Sequence, residues 1–76
     1  MAMSKRLLTF EIVGDGEVEI HGDVEGLQDL IRSLTRVIET GEHDHLMTPA
    51  WGGSELSEEP QKAGAKLVDK VTIHIW

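Results

Sequence analysis

Apolar residues recur at every second position at Leu8, Phe10 and Ile12 and alternate with Leu7, Thr9, Glu11 and Val13, which predicts a strand with one half-buried face. Gly14-Asp15-Gly16 supplies the residues of a tight hairpin. The return strand carries Val18 and Ile20 inward, holds Glu17, Glu19 and His21 outward, and ends at Gly22. From Asp23 the period lengthens. Leu27, Leu30, Ile31, Leu34, Val37 and Ile38 recur at spacings of three and four, which sets one stripe on a helix. Asp23 is a good N-cap, Glu25 suits the first turn, and Gly41 can close the C-terminus. Glu25, Gln28, Asp29, Arg32, Ser33, Arg36 and Glu39 form the expected solvated face of that helix.

Beyond the helix, residues 43–48 read as a short strand, stopped by Pro49 and a Trp51-Gly52-Gly53 corner. A loop with Pro60 and Gly64 follows and has no clean period; residues 54–59 are either part of it or one helical turn capped by Ser54 or Ser57. Val71, Ile73 and Ile75 alternate with Thr72, His74 and Trp76 in a last strand. The order ββαββ predicts an α+β fold of two layers, a four-stranded, mainly antiparallel sheet with one helix packed on one face. Strand order stays open. One helix covers one face, so Thr9, Glu11, Glu17, Glu19, His21, Thr72, His74 and Trp76 are expected on a second face that is either solvated or an interface.

Seventy-six residues allow a single domain, 1–76, with one core. A composition of 39% hydrophobic and 28% charged residues is that of an ordinary soluble globular chain. No apolar run approaches the ~20 residues of a membrane span, and residues 1–10 carry no signal-peptide pattern, so the expected location is cytoplasmic. The absence of cysteine removes disulfides, thiolate metal sites and cysteine nucleophiles.

Charge adds more, because 14 acidic residues against 7 basic ones give a net −7. Thirteen of the carboxylates fall between Glu11 and Glu59, opposed there only by Arg32 and Arg36, while Lys5, Arg6, Lys62, Lys66 and Lys70 lie in the flanks. Such a field repels nucleic acid and anionic lipid and speeds encounter with a basic partner; it also serves plain solubility.

Residues 43–58 concentrate the candidate chemistry, with two histidines, the Trp-Gly-Gly corner and an acidic run that a core is not expected to need. His43 and His45 share one side of a strand and His74 alternates outward, so a zinc or nickel site completed by Glu42 or Asp44 competes with simple surface histidines. Protonation of the histidines would offset the local acidity and weaken a contact with a basic partner. Trp51 can plug the loop onto the sheet or anchor an interface, and Trp76 has the outward parity of an anchor. Glu42, Asp44, Glu55, Glu58 and Glu59 are the candidate steering carboxylates. Phosphate-loop, zincin-helix and nucleophile-elbow motifs are all missing, and Ser54, Ser57 and His45 are read as capping and turn residues, so neither enzymatic activity nor a cofactor is expected.

A histidine-bearing strand running into Trp51-Gly52-Gly53 and Glu55-Leu56-Ser57-Glu58, together with Glu25-Gly26-Leu27-x-x-Leu30 at the helix start, resembles immunity protein family 32 of bacterial polymorphic toxin systems. The resemblance spans most of the chain. It implies a protein that binds a cognate toxin domain and blocks its active site or cleft, and it implies no catalytic residues. The physical reading supplies the contact candidates: Glu42, Asp44, Glu55, Glu58 and Glu59 for steering a basic toxin, Trp51 and Trp76 for anchoring, and His43, His45 and His74 for orientation. A self-associating subunit whose open face pairs with its own copy as a homodimer, or a histidine-based metal-binding protein, is the competing reading.

Overall fold

The computed structural model describes residues 6–76. Lys5, and the first half of the segment read above for a leader, lie outside the described residues. The elements run β1 (Leu8–Ile12), β2 (Val18–Gly22), α1 (Val24–Thr40), β3 (Asp44–Met47), a 3-10 turn (Pro49–Trp51), β4 (Lys66–Leu67) and β5 (Lys70–Ile73). The expected alternation of β and α elements is present, but the strands do not form one four-stranded sheet. They divide into a three-stranded sheet of order β2-β1-β4 and a two-stranded sheet of β3 and β5, with every pairing antiparallel. The division follows from β4, a short strand in the stretch read above as part of the loop, after which the chain changes partner. Val68 still donates its N–H to the Phe10 carbonyl at 2.9 Å, whereas Asp69 turns its carbonyl to the Thr48 N–H at 3.0 Å, so the chain leaves β1 and joins β3 within two residues.

The hairpin pairs Ile12 with Val18 and Leu8 with Gly22, and the Val13 N–H closes its turn on the Glu17 carbonyl at 3.0 Å. Asp23 caps α1 by accepting the Gly26 N–H at 2.7 Å, and the Gly41 N–H closes the helix on the Val37 carbonyl at 2.9 Å. The Asp23 carboxyl lies below the usual carboxylate range, because the Gly26 and Leu7 amides favour its charged form more than burial opposes it.

The helix is rolled away from the expected stripe. Gly26, Ser33 and Val37 are its buried residues and Leu30 packs on the core, whereas Leu27, Ile31, Leu34 and Ile38 are exposed. Close approach at the N-terminal end sets the roll: a Cβ on Gly26 would lie 1.8 Å from the Leu7 carbonyl oxygen. Only a residue without a side chain lets the first turn meet the start of β1 there. Farther along, Arg36 pairs with Asp44 of β3, which holds the same face toward the second sheet.

The core is small. Leu8, Leu46 and Leu56 form its fully buried cluster, with Phe10, Leu30, Val71 and Ile73 packed against them. Two of those three leucines come from residues 43–58, so the expectation that this stretch serves no core is overturned. Leu56 reaches the core because the unpatterned loop is stitched to β1: the Ser57 N–H donates to the Leu8 carbonyl at 2.8 Å, and the Ser57 hydroxyl accepts the Leu8 N–H at 3.2 Å.

The same loop corrects a second expectation. Thr9 and Glu11, assigned above to an open face, are completely buried. The Glu11 carboxylate accepts the Thr9 hydroxyl at 2.5 Å and the backbone N–H groups of Gln61 at 2.8 Å and Lys62 at 3.0 Å. Burial raises its pKa, but these donors and the nearby His21 outweigh it, so the carboxyl lies below its ordinary range. Among the described residues no buried side-chain nitrogen or oxygen lacks a partner. No helix among them is long and apolar enough to cross a membrane.

Candidate functional site

The outer face of the β3–β5 pair carries the histidines singled out by the sequence. Strand alternation sends Leu46 and Val71 inward as partners, and so turns His45 and its partner Thr72 outward. His45 Nδ1 lies 3.1 Å from the Thr72 hydroxyl, a bond that holds the imidazole against the neighbouring strand. His43 precedes β3 and His74 follows β5, and both continue the outward parity of their strands. The His43 ring meets His45 edge-on at 4.8 Å between centroids and stacks on His74 at 5.6 Å with 23° between planes. His74 in turn lies 6.1 Å from the Trp76 ring at 25°. Three imidazoles and an indole thus make one continuous aromatic surface, with Trp76 fully exposed at its end.

This surface has the chemistry of a protein contact. Flat rings lose little side-chain entropy on docking, offer both apolar faces and polar edges, and are enriched where binding energy concentrates. Among the described residues no group of three or more His, Asp or Glu could hold a metal ion.

The carboxylates named from the sequence do not gather around the rings as one patch. Asp44 faces the other way from His45 and pairs with Arg36 at 2.5 Å. Burial raises the pKa of its carboxyl, but the hydrogen bond and charge of Arg36, with the His45 amide, more than offset this and hold it below the usual range. Glu55 is turned onto its own loop, where Oε1 accepts the Met47 N–H at 3.1 Å and the Ser54 N–H at 3.3 Å. Glu42 is exposed directly beside His43. Glu58 and Glu59 are exposed along a separate groove of about 660 Å³, shared with Arg6, Pro49 and Gln61.

Trp51 ends the 3-10 turn at 58% exposure, so it is not a plug of the core. The corner that carries it is built from backbone. Gly52 takes φ +89°, a left-handed conformation that side chains disfavour, and a Cβ on Gly53 would meet the Met47 carbonyl oxygen at 2.5 Å. Both turns close on Thr48, whose carbonyl accepts the Trp51 and Gly53 N–H groups at 2.9 Å each. The Thr48 hydroxyl, fully buried, donates to Asp69 at 2.8 Å. Thr48 and Asp69 therefore fix where the loop departs and where β5 begins. Neither stood out in the sequence; a threonine directly before a Pro-x-Trp-Gly-Gly corner was the available signal.

No curated protein and no solved structure matches the chain. The family model of Immunity protein 32 matches residues 17–71, from the return strand of the hairpin to the second residue of β5, and so takes in α1, the His43 and His45 segment, the Trp-Gly-Gly corner and the loop that seals Glu11, while His74 and Trp76 lie beyond it. Because that match covers most of the chain, this protein belongs to the Immunity protein 32 family.

Proposed function

We propose that this protein neutralises a cognate bacterial toxin by docking on it through the outer face of the β3–β5 sheet. His43, His45, His74 and Trp76 are the contact surface and Glu42 is its adjacent carboxylate. The unbroken run of ring contacts from His45 through His43 and His74 to the exposed Trp76 is the observation that carries this reading. Membership of an immunity-protein family supports it independently. The net charge of −7 favours a toxin with a basic surface, because opposite fields raise the encounter rate and disfavour wrong partners.

The role is one of binding and steric block in the cytoplasm, without catalysis. Glu58 and Glu59 lie in the groove away from the rings and act as long-range steering charges, and Trp51 is a further exposed anchor. Co-expression with the toxin encoded beside the gene tests the proposal. Rescue of growth and co-purification of the two chains are expected, and joint replacement of His74 and Trp76 by alanine should abolish both. Full rescue by that double variant would overturn the assignment of the face.

A further inference from the structure

α1 presents an apolar seam that its own fold leaves unused. Val24, Leu27, Ile31, Leu34 and Ile38 follow one another at spacings of three, four, three and four, the a/d rhythm of a helix that packs against another helix. All five are 41 to 71% exposed, because the helix meets the sheets along its neighbouring line of Gly26, Leu30, Ser33 and Val37. The seam faces the β2 side: Leu27 lies over the end of that strand, so close that a Cβ on Gly22 would come within 2.9 Å of it. Val18 and Ile20 of β2, on the sheet face shared with Phe10, are also exposed and floor the trough beside the seam.

The strand under this trough is an open edge. Among the described residues β2 has β1 on one side and no strand on the other. The Val13 to Glu17 and Asp23 to Leu7 hydrogen bonds set the rhythm of the hairpin, in which odd-numbered residues of β2 bond to β1. The N–H and C=O groups of Val18, Ile20 and Gly22 therefore point outward, available to another strand.

We infer that this protein forms a two-fold symmetric homodimer in which β2 pairs antiparallel with β2 of a second copy and the two α1 seams close over the joint. The strand sequence is self-complementary about Ile20. With Ile20 opposite Ile20, Val18 falls opposite Gly22 and Glu19 falls opposite His21 of the other copy, so within the strand each acid faces a histidine, and Glu17 and Asp23, just beyond its ends, are the acids brought opposite one another. Glu19 and His21 already lie 2.8 Å apart within one chain, and the pairing brings two such couples together. Along the helix the residues flanking the seam are Gln28 and Thr35 on one side and Leu30 and Val37 on the other, all uncharged, so a net charge of −7 per chain does not oppose contact there. The seam and the two strand residues expose on the order of 600–700 Å², near the ~800 Å² per partner of a standard interface and above the patches of typical monomers. A two-fold axis through Ile20 keeps both helices on one face of a continuous six-stranded sheet, which removes the open edge and covers the trough in one step.

The inference uses residues apart from the aromatic face and is tested without any toxin. Light scattering on the purified chain should give twice the 8.4 kDa monomer mass, dissociating on dilution. Replacing both Ile20→Lys and Ile31→Glu should give a monomer with an unchanged far-UV circular dichroism spectrum, its self-association weakened by more than about tenfold. Because the chain has no cysteine, Ile20→Cys gives an independent reading. Directly opposed bonded residues have Cα atoms ~5.5 Å apart, within disulfide reach, so mild oxidation should link the copies, whereas an Ala63→Cys control should stay unlinked. A wild-type chain that stays monomeric at every concentration, or an Ile20→Cys chain that links no better than Ala63→Cys, overturns the inference.

Discussion

Gly26 and Leu7 are in contact through backbone alone: a side chain on Gly26 would begin 1.8 Å from the Leu7 carbonyl oxygen. This contact sets the depth at which α1 enters the fold, and with it which helical residues are buried. Gly26→Ala must push the helix start away from β1 against the Asp23 cap. The expected cost is about 1–3 kcal/mol or more, the range of an overpacked core site. Urea unfolding followed by far-UV circular dichroism measures it; a midpoint equal to wild type would show that the contact yields freely.

Stability should fall in acid, and the Glu11, Asp23 and Asp44 carboxyls should account for it. All three lie below their ordinary pKa in the folded chain. A depressed acid is ionised in the native state at pH values where the unfolded chain has already taken up a proton, so the unfolded state binds more protons and stability rises with pH. The contribution is present above the ordinary values of 4.5 for Glu and 3.8 for Asp and is lost as pH falls through the native ones. Unfolding midpoints measured from neutral pH to pH 3 should show the loss, and Glu11→Gln should make the profile flatter. An equally steep profile in Glu11→Gln would remove Glu11 from the account.

Glu11→Gln should also loosen the loop. Replacing a buried carboxylate that accepts two backbone amides by a neutral group is expected to cost about 1–3 kcal/mol at neutral pH. Hydrogen exchange at the Gln61 and Lys62 amides is the direct readout, since both donate to that carboxylate. Unchanged protection of these amides would mean that the loop is held by other contacts.

Leu56 and Trp51 lie five residues apart in a stretch without periodicity and should respond in opposite ways to truncation. Leu56 is buried in the leucine cluster, so Leu56→Ala should cost about 2–5 kcal/mol. Trp51 is more than half exposed, so Trp51→Ala should change stability by less than about 0.5 kcal/mol. Chemical denaturation of both variants separates the loop's structural residue from its surface one, and equal losses would contradict the packing described.

For the toxin contact, Trp76→Ala is expected to weaken binding by about 2 kcal/mol or more, mostly by faster dissociation. Joint reversal of Glu58 and Glu59 to lysine should instead slow association and reduce its salt dependence, because exposed charges away from the rings act during encounter. Surface-based binding kinetics resolve the two. A double reversal that changes dissociation alone would place these glutamates inside the contact.

Local pattern was enough to identify the hairpin, the helix and the strands that follow it, but not β4 or the 3-10 turn. The alternation around Leu8 and Phe10, the hairpin residues, the Asp23 cap and the 3.6-residue period of α1 each depend on neighbours along the sequence, and each appears in the fold where its period placed it. The outward parity of His45, His74 and Trp76 was legible for the same reason, since strand alternation is a local property. The Trp-Gly-Gly and Glu-Leu-Ser-Glu words were enough to point to the family.

Choices between partners distant in sequence were made only by the tertiary structure. Nothing along β5 says that it must pair with β3 and not with β1; that is decided where Asp69 meets Thr48. Thr9 and Glu11 have the alternation of a solvated face, yet a loop some fifty residues away brings two amides to Glu11 and buries it. The roll of α1 was equally invisible, because its apolar arc is wider than the face it buries, and a backbone contact at Gly26 selects which edge goes inward. Periodicity tells a residue which way it points relative to its own strand or helix; what stands opposite it is set by packing among the elements.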